Sequence, residues 1–175
     1  MFLQRLIEYA SRLSLPPTLY AEAPVRYIIE LDESGGLLNP QPTDTADRSS
    51  PRTRRGERRL VPRVQRTCKI RPRLLADNAE YTLGLVREGS DPERAAECHR
   101  AYRDLIARCA EATREPAVEA VRHFLEGDPL PQLCLPGDWD PSENVTFRVG
   151  GVFPVDLPAV QAFWAAEHDP RRDPG

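Results

Sequence analysis

Residues 61–85 read VPRVQRTCKIRPRLLADNAEYTLGL, a stretch that joins a strongly cationic part to an apolar part. Five cations lie among apolar residues in its first half, and an Asn-Ala-Glu-Tyr run follows them. Because apolar side chains flank the cations on both sides, we expect the cationic side chains to be held in fixed positions. The stretch predicts a short strand near residues 60–64, and residues 78–85 fit either a strand or a turn of helix.

The charge of the wider region, residues 48–73, separates it from the rest of the chain, and we call it the basic segment. It contains eleven cations and one acid, Glu57, and therefore carries a net charge of +10. Since the whole chain has a formal net charge of -3, the remainder carries -13. A cationic segment on an acidic body is typical of a protein that binds a polyanion locally and resists non-specific coating of DNA or RNA.

Residues 40–59, PQPTDTADRSSPRTRRGERR, contain no apolar residue larger than Ala. Such a segment cannot bury enough surface to offset the entropy lost on ordering, so we expect a mobile loop. A mobile, arginine-rich loop suits the attraction of phosphates without fixed geometry. The arginines of this predicted phosphate-attracting loop are Arg48, Arg52, Arg54, Arg55, Arg58 and Arg59.

Apolar patterns elsewhere predict an α+β fold, in which antiparallel β-hairpins pack with about four helices beside the mobile arginine-rich loop. Alternating apolar residues and Gly-Gly pairs predict hairpins near residues 25–36 and 145–151. Helical patterns cover residues 2–13, 90–115 and 116–126, and a last helix is expected after Asp156 as its cap. The length predicts one domain over residues 1–168, followed by a polar tail over 169–175.

The helix over residues 90–115 carries the strongest local signals. Ser90 or Asp91 is expected to cap it, and Pro92 suits the first helical position. Its apolar stripe is predicted to consist of Ala95, His99, Tyr102, Ile106 and Cys109.

Four cysteines, without a C-x-x-C pair or a secretory leader, indicate reduced thiols in a cytoplasmic protein. No apolar run approaches 18 residues, so we expect no membrane-spanning helix. Cys98 and His99 point about 100° apart on the predicted helix and cannot easily share a metal with Cys109 and His123. The sequence also lacks G-x-S-x-G, H-E-x-x-H and G-x-x-x-x-G-K motifs. We therefore expect no metal, no cofactor and no enzymatic activity.

Fixed cations beside Asn78 point to nucleic acid, because Asn can make paired hydrogen bonds to an adenine edge while Lys and Arg favour guanine or phosphate. A solvated loop, with Asn78 as a turn or cap residue, explains the same composition. An unrelated RNA-binding domain is a further alternative, which the lack of clustered aromatic residues or a ribonucleoprotein signature disfavours.

The run LQRLIEYASRL at residues 3–13 and the segment 61–84 resemble the large subunit of type I-C CRISPR Cascade, the Csd-type large-subunit family. Where the family has Ser-Gly, and an aromatic pair before Asp-Asn, this chain has Cys68-Lys69 and Leu75-Ala76. Family members are several times longer, so the chain resembles an N-terminal domain or a truncated member. The residues of the second segment that match the family pattern are Val61, Pro62, Arg66, Thr67, Pro72, Asp77, Asn78, Ala79, Tyr81, Leu83 and Gly84.

The resemblance implies a non-catalytic subunit of a type I-C interference complex in antiviral defence. Such a subunit recognises the protospacer-adjacent motif in duplex DNA and helps to open the strands, while a guide RNA reads the target sequence. The implied partners are Cascade backbone subunits, guide RNA and target double-stranded DNA, with no membrane. The alternatives are an assembly module that docks on the guide RNA 5' end and backbone subunits without motif reading, and a truncated non-functional fragment. The implied nucleic-acid-binding residues are Arg63, Arg66, Thr67, Lys69, Arg71, Arg73 and Asn78.

Overall fold

The computed structural model describes residues 19–169 together with Phe2, Gln4, Arg5, Glu8 and Arg171. The four described residues near the N-terminus are helical; the rest of the helix predicted over 2–13, and most of the predicted tail, lie outside the described residues. In chain order the elements are β1 (Tyr20–Val25), β2 (Tyr27–Leu31), β3 (Thr43–Asp44), β4 (Glu57–Pro62), β5 (Ala76–Asn78), α1 (Ala79–Leu83), α2 (Pro92–Thr113), α3 (Pro116–Glu126), β6 (Asn144–Val149) and α4 (Pro158–Glu167). Short 3-10 helices span Leu130–Gln132 and Pro154–Asp156.

A four-stranded sheet with the strand order β3-β2-β6-β5 lies at the centre of the fold. β2 and β6 pair in parallel, with Tyr27 opposite Val145 and Leu31 opposite Val149. β3 pairs antiparallel with β2, and β5 pairs antiparallel with β6. The α+β class agrees with the sequence prediction, but the central pair is parallel because a long connection that carries three helices joins the two strands.

β2 is buried over most of its length, and Ile28, which falls between the alternating apolar residues Tyr27 and Ile29, is buried as well. A central strand with both faces covered carries a continuous apolar run, which explains why Ile28 interrupts the expected alternation. The two predicted hairpins are present as tight turns at the C-terminal ends of β2 and β6. Leu31 pairs antiparallel with Leu37, and Val149 pairs with Val152 across the Gly150-Gly151 turn.

The predicted loop over residues 40–59 contributes to both sheets. Thr43–Asp44 is an edge strand, and residues 57–59 begin β4, which pairs antiparallel with β1. For these residues the expectation of an unstructured segment was wrong, because strand pairing uses backbone hydrogen bonds and needs no large apolar side chain. The chain enters β4 at Gly56, where φ is +119° and an added Cβ atom would lie 2.6 Å from the Cα atom of Arg26.

The helices begin close to where their caps predict. The carboxylate of Asp91 accepts a hydrogen bond from the Glu93 backbone N–H at 3.0 Å, so Asp91 caps α2. The stripe prediction was wrong at His99, which is only partly buried, and it omitted the buried Cys98 and Leu105. The bounds of α3 agree with the prediction.

Asp156 does not cap the last helix. α4 begins at Pro158, and its N-cap is Leu157, which makes no side-chain cap hydrogen bond. Asp156 ends the preceding 3-10 helix, and its carboxylate accepts a hydrogen bond from Arg59 at 2.9 Å. The proline at the first helical position fixes where the helix starts without a polar cap.

The hydrophobic core lies between the central sheet and the helices. The rings of Phe124 on α3 and Phe147 on β6 meet edge to face, with centroids 6.2 Å apart. Trp164 on α4 is buried, and its indole N–H donates to the Leu19 carbonyl at 3.0 Å. Among the described residues, no helix is long and apolar enough to cross a membrane.

Candidate nucleic-acid interface

Asp77 anchors the 66–73 part of the basic segment. It lies on β5 with its side chain fully buried, and its carboxylate accepts hydrogen bonds from Arg66 Nη2 and from Arg73 Nη2, the latter at 3.1 Å. The backbone N–H groups of Arg73 and Asn78 also donate to it, each at 2.8 Å. One buried acid therefore holds both ends of the 66–73 part of the basic segment.

Arg66 is held further by an aromatic ring. Its Cζ atom lies 4.0 Å from the ring centroid of Tyr81, and its Nε donates to the Arg71 carbonyl at 2.9 Å. The Tyr81 hydroxyl accepts from the Arg71 backbone N–H at 3.3 Å. The guanidinium plane of Arg66 is thus fixed on one face by the ring and on its edges by hydrogen bonds.

Asn78 caps α1. Its backbone is extended, with φ -67° and ψ 166°, and its Oδ1 accepts a hydrogen bond from the Tyr81 N–H at 3.2 Å. A paired contact with adenine uses both Oδ1 and Nδ2. Such a contact would break the cap hydrogen bond between Asn78 and Tyr81, which contributes about 1 kcal/mol to the stability of the helix. The geometry therefore favours the side-chain N–H₂ group alone as the part of Asn78 that can meet a ligand.

The other candidates in this part point outward. Arg63, Thr67, Lys69 and Arg71 are exposed, and Arg71 Nη1 donates to the Gln65 carbonyl at 3.4 Å. The structure thus divides the candidates that the sequence grouped together. Arg66 and Arg73 are committed to Asp77, whereas these four face solvent.

The arginines of the predicted phosphate-attracting loop divide in the same way. Arg48 pairs with Asp138 at 3.3 Å, and Arg58 with Glu22 at 3.6 Å. Arg59 pairs with Asp156, and its Cζ atom lies 3.7 Å from the ring centroid of Phe153. The loop arginines that are exposed and have no ion pair within the described part of the chain are Arg52, Arg54 and Arg55.

Both parts of the basic segment approach residues 138–144, which lead into β6. Arg48 binds Asp138 from the loop, and Arg73 Nη2 donates to Asn144 Oδ1 at 2.7 Å. Asp140 lies between them: the Ser142 N–H lowers the pKa of its carboxyl most, and Arg87 and Arg55 lower it further. Arg48 and Arg73 therefore connect the two parts of the basic segment to the stretch that leads into β6.

A shallow pocket of about 360 Å³ lies beside Asn78. Arg66 and Asn78 form one side, and Glu80, Arg87 and Arg94 add charged groups around it. Arg87 Nη2 donates to Glu80 Oε2 at 3.1 Å, while the side chain of Glu80 is 10% exposed. The pocket thus combines a fixed guanidinium plane with hydrogen-bond donors and acceptors.

Both thiols on α2 are buried, and the imidazole of His99 on the same helix is partly buried. Burial raises the pKa of the Cys98 thiol, and it raises the pKa of Cys109 to about 12. Burial also lowers the pKa of His99, whose Nδ1 lies 2.9 Å from the Tyr81 carbonyl oxygen. Among the residues that the structure describes, no group of three or more His, Cys, Asp or Glu could hold a metal ion.

A family model described as CRISPR-associated protein (Cas_Csd1) matches residues 4–174. The chain belongs to this family of CRISPR-associated proteins. The resemblance drawn from the N-terminal run and from residues 61–84 is thereby confirmed. No curated protein matches the chain.

The family pattern in residues 77–84 has a structural explanation in this member. Asp77 anchors two arginines and Asn78 caps α1, while Ala79 is fully buried. Gly84 ends α1 with φ +70°, a conformation that favours glycine, and its N–H binds the Ala79 carbonyl. These residues shape the surface, and their exposed neighbours supply its charge.

Sequence reasoning missed Glu80, Arg87 and Arg94. Glu80 occupies the variable place in the family's Asp-Asn-Ala-x-Tyr pattern, and Arg94 lies in the first turn of α2, where a charged residue is ordinary. Only the packing of α1 against α2 brings the three together. A local cluster of charges around residues 80–94 was the one available signal.

Proposed function

We propose that the chain is a non-catalytic, nucleic-acid-binding subunit of a type I-C CRISPR interference complex, which recognises the protospacer-adjacent motif in target duplex DNA and aids strand opening. Membership of the CRISPR-associated family supports this setting. The observation that carries the proposal is the charge of the basic segment: six of its eleven cations have no carboxylate partner among the described residues. These six are Arg52, Arg54, Arg55, Arg63, Lys69 and Arg71.

Unpaired, exposed cations are the groups that phosphates recruit most readily, because no internal ion pair must be broken. If all six meet DNA phosphates, the logarithm of affinity falls with the logarithm of salt concentration at a slope of about -5.4. The acidic remainder of the chain opposes contact elsewhere. Binding is therefore expected through one surface rather than over the whole protein.

Motif reading needs donors in fixed positions, in contrast to phosphate attraction. The anchors at Asp77 fix the backbone around Thr67 and Lys69, since Arg66 and Arg73 are held at the two ends of the 66–73 part. Lys69 is exposed between these anchors, and Asn78 keeps its side-chain N–H₂ group for a ligand. We assign the motif contact to these two residues.

The proposed partners are Cascade backbone subunits, guide RNA and target double-stranded DNA, and the proposed location is the cytoplasm. In RNA-guided recognition the guide reads sequence by pairing, so a protein subunit needs only a short flanking motif and the backbone. Charge and hydrogen-bond donors are sufficient for this role, and no covalent chemistry is invoked.

The first experiment is co-purification of the chain with type I-C backbone subunits and guide RNA, followed by binding to duplexes with and without the motif over a salt series. Motif-dependent, salt-sensitive binding by the assembled complex is expected. Assembly without any motif preference would favour the alternative role, a module that docks on the guide RNA 5' end and backbone subunits. A flat salt response would overturn backbone binding by the basic segment.

Two substitutions test the motif residues without unfolding the surface. Lys69→Ala removes an exposed charge, and Asn78→Ser keeps a capping oxygen while removing the side-chain N–H₂ group. Each is expected to lower motif discrimination; Lys69→Ala should do so at unchanged thermal stability, whereas Asn78 is only 7% exposed, so thermal unfolding is measured beside binding for Asn78→Ser. Arg103→Ala, an exposed arginine on α2 away from the basic segment, is the control. Unchanged discrimination in both variants would remove the assignment to Lys69 and Asn78.

A further inference from the structure

We propose that the pocket beside Asn78 holds one unpaired base of a nucleic acid strand, with Glu80 and Arg94 as specificity and binding residues. The inference rests on the proposed function and deepens it, since strand opening exposes unpaired bases. It assigns the pocket to a splayed-out nucleotide rather than to the duplex.

We expect the base to stack on the guanidinium group of Arg66. One face of its guanidinium lies on the Tyr81 ring, and Asp77 and the Arg71 carbonyl hold its edges. The Arg66 side chain lines the pocket and is 26% exposed, so part of it stays open to a ligand. Unpaired bases stack on guanidinium planes as well as on aromatic rings. A plane that is already fixed loses little conformational entropy when a base stacks on it.

Glu80 supplies an acceptor for the base edge. Its Oε2 is bound by Arg87, whereas its Oε1 has no hydrogen-bond partner among the residues that the structure describes. A carboxylate accepts only, so it favours a base that offers an exocyclic amino group, as cytosine does through N4. Thymine, which presents a carbonyl at that place, would face the carboxylate with repulsion. The pocket is therefore expected to prefer cytosine over thymine.

Arg87 and Arg94 suit the phosphate of the same nucleotide. Arg94 is exposed, and one of its nitrogens, Nη2, reaches the Cys68 carbonyl at 3.3 Å, which leaves its other donors for a ligand. The Arg87 side chain is 42% exposed, and its Nη1 makes no hydrogen bond with the residues that the structure describes, so the guanidinium has a donor left for a ligand. Of the nearby acids, Asp91 is already used as the cap of α2. The pocket can therefore hold a negatively charged group at its mouth.

The dimensions fit one nucleotide. The volume of about 360 Å³ lies at the small end of ligand pockets, which span roughly 300–1,000 Å³. A run of stacked bases needs an extended groove with several platforms. One fixed plane in a small pocket selects a single base.

The test compares three DNA ligands with the full chain: a blunt duplex, the same duplex with a one-cytosine 3' overhang, and the duplex with an abasic residue in place of that cytosine. The cytosine overhang is expected to bind about tenfold more tightly than the blunt duplex, the gain that stacking of one base supplies. The abasic overhang is expected to lose that gain. Replacing the cytosine with thymine is expected to lose part of it.

Variants test whether the gain in affinity from the overhang arises in the pocket. Arg94→Ala is expected to reduce the overhang gain severalfold, and Glu80→Gln to abolish the preference for cytosine over thymine. Arg103→Ala on the same helix is the matched control and is expected to leave both unchanged. Circular dichroism checks that each variant keeps its fold.

The outcomes separate this inference from the proposed function. Salt-sensitive binding of the blunt duplex with no gain from the overhang would overturn the base pocket and leave the basic segment as a backbone-binding surface. An overhang gain that persists in Arg94→Ala and Glu80→Gln would place the base elsewhere and also overturn the assignment. Failure of the chain to bind any of the three ligands would overturn the base pocket, while motif-dependent binding by the assembled complex would still uphold the proposed function.

Discussion

Replacing Asp77 with Asn tests whether one buried acid organises this surface. The carboxylate is fully buried and pairs with Arg66 and Arg73, so Asp77→Asn leaves two guanidinium groups without their counterion. Removal of one partner from a buried pair costs about 3–5 kcal/mol of unfolding free energy. The arginine side chains are 26% and 19% exposed and can partly turn to water, which places the expected loss near the lower limit, about 3 kcal/mol.

Urea denaturation followed by circular dichroism measures the loss. Asp104→Asn, on the exposed surface of α2, is the matched control and is expected to change stability by less than about 0.5 kcal/mol. The double variant Asp77→Asn with Arg73→Gln should cost clearly less than the two single variants added together, because the second change removes a stranded cation. A loss below about 1 kcal/mol for Asp77→Asn, or simple additivity in the double variant, would refute the anchoring role.

Three further predictions concern the unpaired loop arginines, the glycine before β4 and an ion pair on the central sheet. Substituting Arg52, Arg54 and Arg55 with Ala should make the slope of log affinity against log salt shallower by about 2.7, measured by fluorescence anisotropy with duplex DNA. Gly56→Ala should destabilise the fold by more than Gly89→Ala. Both glycines have positive φ, but only the Cβ atom added at Gly56 would lie 2.6 Å from backbone atoms. Equal losses of stability in thermal unfolding would contradict this prediction. The hydrogen bond from Arg148 lowers the pKa of Glu30. The pair therefore contributes stability that is present above about pH 4.5 and is lost as the pH falls. Glu30→Gln should flatten the acid side of a plot of unfolding free energy against pH.

Local signals predicted the helices well. α2 and α3 carry a proline at the first helical position, an apolar stripe and, for α2, an acidic cap, and these act within a few residues of one another. The strand prediction was right about β2 and β6 as elements. It did not predict that β2 and β6 pair with each other in parallel, because the partner of a strand is decided by the whole connection between the two strands and not by the strand's own residues.

The basic segment shows why the candidate site could be predicted only in outline. Its composition indicated a cationic surface, but composition and charge do not distinguish Arg66, which binds Asp77, from Arg63, which faces solvent. The two arginines differ only in whether a buried carboxylate comes within reach after folding. The same limit applied to Glu80 and Arg94, whose proposed role depends on the packing of α1 against α2.

The division between paired and unpaired cations also bears on how a strongly cationic surface remains stable. A surface made entirely of unpaired arginines would repel itself, and each ordered side chain would lose entropy without a compensating contact. Here Asp77 neutralises part of the charge from inside the core, and it uses Arg66 and Arg73 to fix the backbone that carries Lys69. The outward cations can then remain unpaired at little cost to the fold. Neutralising Lys69 should therefore weaken binding without loss of stability, whereas replacing Asp77 should reduce both.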